Sequence, residues 1–398
     1  MGTIDVLRQR EFRLLLSGQA ISLFGDGMVR VALPFAVLGV GGSASDVGLV
    51  LAARMLPLVA FLLAGGVIAD RTSPRAVMVA ADVTRVASQG ATAALLIAGG
   101  AGVWSLAALA GVTGAATGFF NPASTGLLPA VVAPEHLQRA NGLRATAMAG
   151  GEIVGPAVAG ILVATAGVGW AMAIDAGTFA ASAGFLSRLR LPARLARESA
   201  SFLGDLRDGW RAFRARTWVW AFVAAIALVN TLWGAWSILG PVVADRDLGG
   251  AAAWGTVLAA MGVGGLAGGV LAIRTQPRRP LVVATLSVVV ASVPLALLAA
   301  GAGVAPLAVG ALLSGGALML GNTVWESTLQ RHVPAESLSR VSAYDWFGSM
   351  AFRPLGLAIW GPVAGAIGIS VSLWLAFALL LAASVAPLAV REIRQLPA

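Results

Sequence analysis

The chain has 398 residues, of which 58% are apolar and 11% charged, a balance that excludes a soluble globular domain and describes an integral membrane protein. There is no cysteine, so disulfides and thiolate chemistry are excluded, and the two histidines, His136 and His332, stand apart among polar residues and make no metal site. A formal charge of +9 would suggest a nucleic-acid partner in a soluble protein; here all 27 basic side chains are arginine and their placement sets topology instead.

A bilayer core of about 30 Å needs roughly 20 apolar helical residues. Such spans are predicted at 14–39, 47–69, 77–98, 104–131, 140–165, 168–187, 218–241, 252–273, 281–300, 304–329, 341–364 and 367–388. The first follows RQREFR, is a full span and lacks a small-residue cleavage motif, so it is expected to stay in the protein rather than be removed as a signal peptide. Along it Gln19, Ser22, Asp26 and Arg30 recur every three or four residues and form one polar stripe, which must face water or a partner helix. Asp26 and Arg30, one turn apart, are expected to pair with each other. A carboxylate whose cation can come and go suits proton coupling; a static pair locking span 1 to its neighbours is the alternative.

Span 2 closes on GGVIADRTSPR, residues 65–75, where an apolar glycine-rich run stops at Asp70, Arg71, Pro74 and Arg75. Span 3 carries Asp82 and Arg85, read as structural, and span 4 a polar stripe of Thr113, Thr117, Asn121 and Ser124 beside Phe119 and Phe120. Halfway along span 5, Glu152 sits among Gly150, Gly151, Gly155 and Pro156. Small residues there permit close backbone approach, and a carboxylate at that depth is a candidate proton or cation site. Asp175 in span 6 is read as structural.

The one long polar segment, 189–217, divides a first half (1–188) from a second (218–398). Within 199–216, Phe202, Leu206, Trp210 and Phe213 follow a helical spacing beside Arg207, Arg211 and Arg214. This predicts an amphipathic helix lying on the cytoplasmic leaflet, with a merely solvated linker as the alternative. Span 7 presents Asn230 and Ser237 on one face with Trp233 and Trp236 nearby; span 10 carries Asn322, Trp325 and Glu326, and span 11 Asp345 and Arg353.

The connections on one side of the membrane hold 22 arginines and those on the other only Arg246, which places both termini in the cytoplasm. Arg30, Arg54, Arg85 and Arg353 remain inside spans, where an ionisable group costs about 2.5–3.5 kcal/mol and is therefore paired or functional. The arginine-for-lysine bias and the abundance of alanine, glycine and valine suggest a GC-rich bacterial genome, hence a bacterial cytoplasmic (inner) membrane.

The sequence also repeats. GGVLAIRTQPR, residues 268–278, matches residues 65–75 at eight of eleven positions, with Ile273 where the first copy has Asp70. A second echo sets NPASTGLLPAVVAPEHLQR (121–139) on NTVWESTLQRHVPAESLSR (322–340). Both echoes lie at equivalent topological places, as a duplicated six-span unit requires. The same offset sets Glu152 against Arg353 and Arg144 against Asp345, so the halves have diverged in charge. Arg30 and Arg353 are the candidate charge partners of the intramembrane acids.

Gly66, Asp70, Arg71 and Arg75 resemble the signature loop of the major facilitator superfamily, G-x-x-x-D-R-x-x-R-R/K, although Pro74 and Ala76 stand where basic residues are often found. DVTRV in span 3, GFFNPASTGLLP in span 4, RANGL followed by GGEIVGPAVAG in span 5 and IDAGTF in span 6 are similar to the branch holding macrolide-efflux and enterobactin-exporter-like proteins. GGEIVGPAVAG also resembles the antiporter motif of span 5.

That resemblance implies an all-α membrane protein of twelve transmembrane helices in two pseudo-symmetric six-helix bundles, working by alternating access. Spans 1, 4, 7 and 10 then line a central cavity, which makes Gln19, Ser22, Thr117, Phe120, Asn121, Asn230, Trp233, Trp236, Asn322 and Trp325 candidate substrate contacts. Gly66, Asp70, Arg71 and Arg75 become a cytoplasmic gate, with Asp70, at the end of span 2, abutting the start of span 11, and Asp26 and Glu152 become the proton-coupling candidates. No Walker loop is present and, without lysine, none can be, so ATP is not the energy source and a proton gradient is expected. No cofactor, metal or nucleic acid is expected. The expected protein is a monomeric, non-enzymatic exporter of a small amphipathic organic compound such as a drug or secondary metabolite. A siderophore or dedicated metabolite exporter, an uptake symporter and a non-transporting membrane sensor are the alternatives.

Overall fold

The structure, a computed structural model, describes residues 7–133, 136–190, 202–275 and 277–397, and every regular element among them is helical. Six long helices correspond to the first six predicted spans: α1 (Arg10–Gly39), α2 (Ala44–Arg71), α3 (Pro74–Ile97), α4 (Val103–Val131), α5 (Leu137–Thr165) and α6 (Val168–Ser187). The linker contributes α7 (Phe202–Arg214). Span 7 is α8 (Thr217–Leu232) with α9 (Gly234–Val243), span 8 is α10 (Ala251–Arg274), and span 9 is α11 (Pro280–Ala291) with α12 (Val293–Ala299). Span 10 is α13 (Val304–His332), span 11 is α14 (Ala335–Met350) with α15 (Arg353–Ile367), and span 12 is α16 (Ile369–Val385). Among the described residues, ten helical stretches are long and apolar enough to cross a bilayer by length and composition. α3 and α6 coincide with predicted spans but are not among these ten; Asp82, Arg85, Ser88 and Gln89 interrupt α3, and α6 carries Asp175.

Local signals set the helix starts. Ser43 and Asp46 form a reciprocal capping box on α2, and Ser73 caps α3 with Pro74 at its first position, where a missing N–H removes nothing the helix needs. The duplication is visible in the turns. Gly99 and Gly301, both at φ 70°, and Gly167 and Gly368, at φ 93° and 86°, take the left-handed conformation at matching places in the two halves. A side chain would be strained at all four.

The chain forms two compact units, Met1–Arg197 with Ala244–Ala259, and Glu198–Val243 with Ala260–Ala398. Each is held by glycine-mediated helix contacts in which a Cβ would meet the neighbouring backbone. In the first unit Gly114 of α4 lies against Arg54 of α2, Gly65 of α2 against Gly118 and Phe119 of α4, and Gly27 of α1 against Gly151 and Gly155 of α5. In the second unit Gly264 and Gly268 of α10 lie against Leu312 and Gly316 of α13, and Gly315 against Met261. Gly65 and Gly268 are the repeat-equivalent glycines of GGVIADRTSPR and its echo, and each makes the span 2 to span 4 type of contact in its own half.

α7 forms where the amphipathic helix was predicted, and two of its apolar residues pack on protein: Phe213 is buried in a cluster with Trp218, Phe222 and Val341, and Trp210 and Phe213 pack on Tyr344 of α14 at ring separations of 5.5 and 5.9 Å. Of the helix predicted at 199–216, Phe202–Arg214 is helical and the helix ends at Arg214, while residues 199–201 lie outside the described residues.

Candidate functional site

The polar stripe of α1 is the centre of an inter-helix ionic network in the first unit. Asp26 Oδ1 accepts from Arg54 Nη2 of α2 at 2.9 Å, and Arg30 Nη2 donates to Glu152 Oε1 of α5 at 2.8 Å. The expected Asp26–Arg30 pair is therefore corrected: each member has a partner on another helix. The cause is packing. Gly27 brings α1 so close to Gly151 and Gly155 that Glu152 comes within reach of Arg30, and Arg54 is the only ionisable group in the middle of α2 and turns to Asp26. Both pairs remain partly accessible, with side-chain exposures of 29% for Asp26 and 34% for Glu152.

Two turns nearer the start of α1, buried Gln19 donates to Ser124 Oγ of α4, while its Oε1 accepts from Arg144 Nε of α5 at 2.9 Å. Arg144 Nη2 also donates to Ser124 at 3.3 Å, and Ser22 Oγ donates to the Gln19 carbonyl. Arg144 counts as a connecting-loop arginine in the sequence, yet it holds α1, α4 and α5 together. Deeper in the unit Asp82 and Arg85 of α3 form a fully buried ion pair. The Arg85 guanidinium lies between the faces of Phe120 at 4.1 Å and Phe179 at 4.3 Å, which desolvates the cation while the ring faces offset part of that penalty. Gln89 donates to Asp175 of α6, and Ser88 and Thr113 share a hydrogen bond at 2.8 Å.

Among the candidate cavity residues, Thr117 donates to the Thr113 carbonyl and Phe120 is committed to Arg85, so both are buried in the first unit's core. Asn121 and Asn322 are exposed, the latter donating to Glu326 Oε1 at 3.2 Å. Trp325 is a core residue: it stacks on Phe222 at 4.2 Å, meets Trp218 edge-on, and donates from Nε1 to Asp345 Oδ2 at 3.1 Å. Asn230 donates to the Ser349 carbonyl at 2.8 Å, and Trp233 stacks loosely on buried Trp236 at 6.0 Å.

Spans 7 and 11 are both interrupted, at Trp233 and at Ala351–Phe352, and the two breaks face each other. The Thr231 hydroxyl, shared between the carbonyls of Ala227 at 2.8 Å and Phe352 at 3.3 Å, links the two breaks, the Thr231 carbonyl accepts from Trp360 Nε1 at 3.2 Å, and Gly234 and Gly356 meet backbone to backbone. Arg353, the first residue of α15, has Nη1 at 4.0 Å from Met350 Sδ. Its repeat counterpart Glu152 is engaged by Arg30, so the equivalence of those two residues is one of position.

Of the gate motif, the structure describes only the helical backbone at Gly66, Asp70 and Arg71; their surroundings lie outside the described residues. Arg75 donates from Nε to the Leu186 carbonyl at 3.2 Å and from Nη2 to the Ser187 carbonyl, tying the start of α3 to the end of α6. Among the described residues no group of histidines and carboxylates is placed to hold a metal ion.

Residues 15–352 match the family model of the Major Facilitator Superfamily. The chain is 30% identical over 367 residues to the multidrug efflux pump Tap of Mycolicibacterium fortuitum, covering 87% of each protein. It is 24% identical over 226 residues to macrolide efflux protein A of Streptococcus pyogenes, covering 56% of this chain and 55% of that one. Among solved structures, the nucleoside transporter NupG superposes with a TM-score of 0.74 at 15% identity over 96% of this chain and 98% of that one. A bacterial homologue of the lysosomal transporter Spinster, solved inward-facing and unoccupied, superposes at 0.74 over 98% of this chain and 99% of that one, at 13% identity. With its helical architecture, duplicated six-span pattern and whole-chain matches to transporters, the chain is a multi-pass membrane transporter of the Major Facilitator Superfamily.

Proposed function

We propose that the protein is a proton-driven exporter of small amphipathic organic compounds, drugs or secondary metabolites, in a bacterial inner membrane with both termini cytoplasmic. The observation that supports this reading is the pair of salt bridges that ties α1 to α2 through Asp26–Arg54 and to α5 through Arg30–Glu152. Each carboxylate faces a cation supplied by a different helix and is left partly uncovered by the protein. Protonating Asp26 removes the charge that holds Arg54, and protonating Glu152 releases Arg30; either event loosens α1 from a neighbour. A proton thereby changes helix packing rather than only local charge, which is the requirement for coupling a gradient to alternating access. The similarity to a multidrug efflux pump and a macrolide efflux protein supports the outward direction and the amphipathic substrate class.

The test is a resistance and accumulation screen in an efflux-deficient bacterial host. Expression is expected to lower the steady-state accumulation of at least one lipophilic antibiotic or dye, and a protonophore is expected to restore it. Accumulation unchanged across the panel overturns export, and export that persists after collapse of the proton gradient overturns the coupling.

A further inference from the structure

We propose that the second unit holds the phosphate group of an anionic phospholipid in a cavity between the ends of α10 and α13. This proposal is independent of the transport reading. The cavity measures about 180 Å³ and is bounded by Ala272, Ile273, Thr275, the prolines 277 and 280, and one face of α13 from Thr323 to His332. No carboxylate lines it, although Glu326 belongs to the same helix.

Ser327 and Arg331 are the donors in the cavity that suit an anion. Thr275, Thr323 and Thr328 each donate their hydroxyl to a backbone carbonyl one turn back, so towards the cavity they offer lone pairs only. Ser327 has no such bond among the described residues and lies one turn before Arg331 on the same face of α13. His332 Nδ1 is 3.0 Å from the Thr328 carbonyl. A carbonyl can only accept, so the proton sits on Nδ1. Arg331 is exposed and forms no ion pair among the described residues, and neither do Arg274, Arg278 and Arg279 in the adjoining connection. In the first half the equivalent loop carries Asp70; here that position is Ile273, and the cationic excess has no acid within the loop.

An apolar track leads to the same place. Val263, Leu266, Val270 and Ile273 recur every three or four residues along α10 and are all exposed, Ile273 by 84%. A headgroup seated at Arg331 therefore leaves its acyl chain alongside a hydrophobic helix face that ends at the rim of the cavity. Replacing an acid by isoleucine at 273 both removes a repulsive charge and supplies the last rung of the track.

The test uses the purified full chain in nanodiscs of phosphatidylcholine, with and without phosphatidylglycerol, and counts co-purifying lipid by native mass spectrometry. Wild type is expected to retain phosphatidylglycerol over phosphatidylcholine, Arg331→Gln to reduce that preference about fivefold, the effect of about 1 kcal/mol for one arginine at an anionic surface, and Ile273→Asp to reduce it at least as much. Because Ile273 is exposed, that second variant reads the site even where Arg331→Gln folds poorly. Equal retention of both lipids by wild type, or unaltered preference in Ile273→Asp, overturns the proposal. A parallel arm titrates inorganic phosphate into protein in phosphatidylcholine: saturable binding there without preference for phosphatidylglycerol assigns the cavity to a soluble phosphate and overturns the lipid.

Discussion

Asp26 and Glu152 make the same chemical demand in different places: each is a carboxylate at intramembrane depth whose counter-ion comes from another helix. Replacing either by its amide keeps the shape and removes the titration. Asp26→Asn and Glu152→Gln are each expected to lower proton-driven transport at least about tenfold, equivalent to some 1.4 kcal/mol on the coupled step, while substrate counterflow without a gradient persists. Wild-type proton-driven rates in both variants would remove these residues from coupling. Asp82 and Arg85 obey a different logic, because both are fully buried and Arg85 is sandwiched by Phe120 and Phe179. Arg85→Leu strands the Asp82 charge and is expected to destabilise the protein by about 3–5 kcal/mol, whereas Asp82→Leu with Arg85→Leu recovers most of that loss. Thermal unfolding in detergent separates the two outcomes, and equal melting of the single and double variants contradicts a purely structural pair.

The intramembrane charges were legible as a set but not as pairs. Spacing along one helix identified Asp26 and Arg30 as neighbours, yet a single helix carries no information about which helices flank it. Arg54 held the missing signal: as the one ionisable group in the middle of span 2, it needed an acid from elsewhere, and Asp26 was available.

At the scale of elements, the repeat was legible in the two sequence echoes, 65–75 on 268–278 and 121–139 on 322–340, and the structure adds matched positive-φ turns at Gly99 with Gly301 and Gly167 with Gly368. The interruptions of spans 7 and 11 were not legible. Trp233 and Phe352 are apolar and fit a continuous span, and only the docking of Gly234 on Gly356 and the hydrogen bonds of Thr231 stabilise both breaks together. Discontinuous helices concentrate unpaired backbone groups, which neighbouring side chains must satisfy in a membrane. Asn230, Thr231 and Trp360 supply that here, which explains why Asn230 is turned to the Ser349 carbonyl. A methyl at Gly356 would fall on the Thr231 backbone, whereas one at Gly365, in the same helix, meets nothing. Gly356→Ala is therefore expected to cost about 1–3 kcal/mol by overpacking, and Gly365→Ala to be neutral or stabilising by roughly 0.5–1 kcal/mol. Melting temperatures of the two variants side by side check this; equal values would mean that the breaks do not depend on close contact.

At the scale of the whole molecule, the two copies of the glycine-rich ending differ in one residue that carries charge. Asp70 lies at the end of α2, whereas its counterpart Ile273 lies at the end of α10, where arginines are the only charged residues of the connection that follows. In an alternating-access cycle the cytoplasmic ends of the halves approach and separate, and a carboxylate that meets a helix N-terminus across them accepts from its free N–H groups and its positive dipole end. We propose, from the resemblance of the motif, that Asp70 makes such a contact, and in one orientation only. Its contribution of about 0.3–1 kcal/mol when exposed, up to roughly 2 when partly buried, adds to the state closed on the cytoplasmic side and to no other. Removing it cannot alter intrinsic affinity in the open state, but it changes how often the closed state is visited. Asp70→Asn is accordingly expected to slow turnover by about two- to thirtyfold, the rate equivalent of that free energy, with ligand binding to the purified protein unchanged. Transport at the wild-type rate would show that the acid of the first copy is not a latch, and a parallel loss of binding would place Asp70 in folding rather than in the cycle.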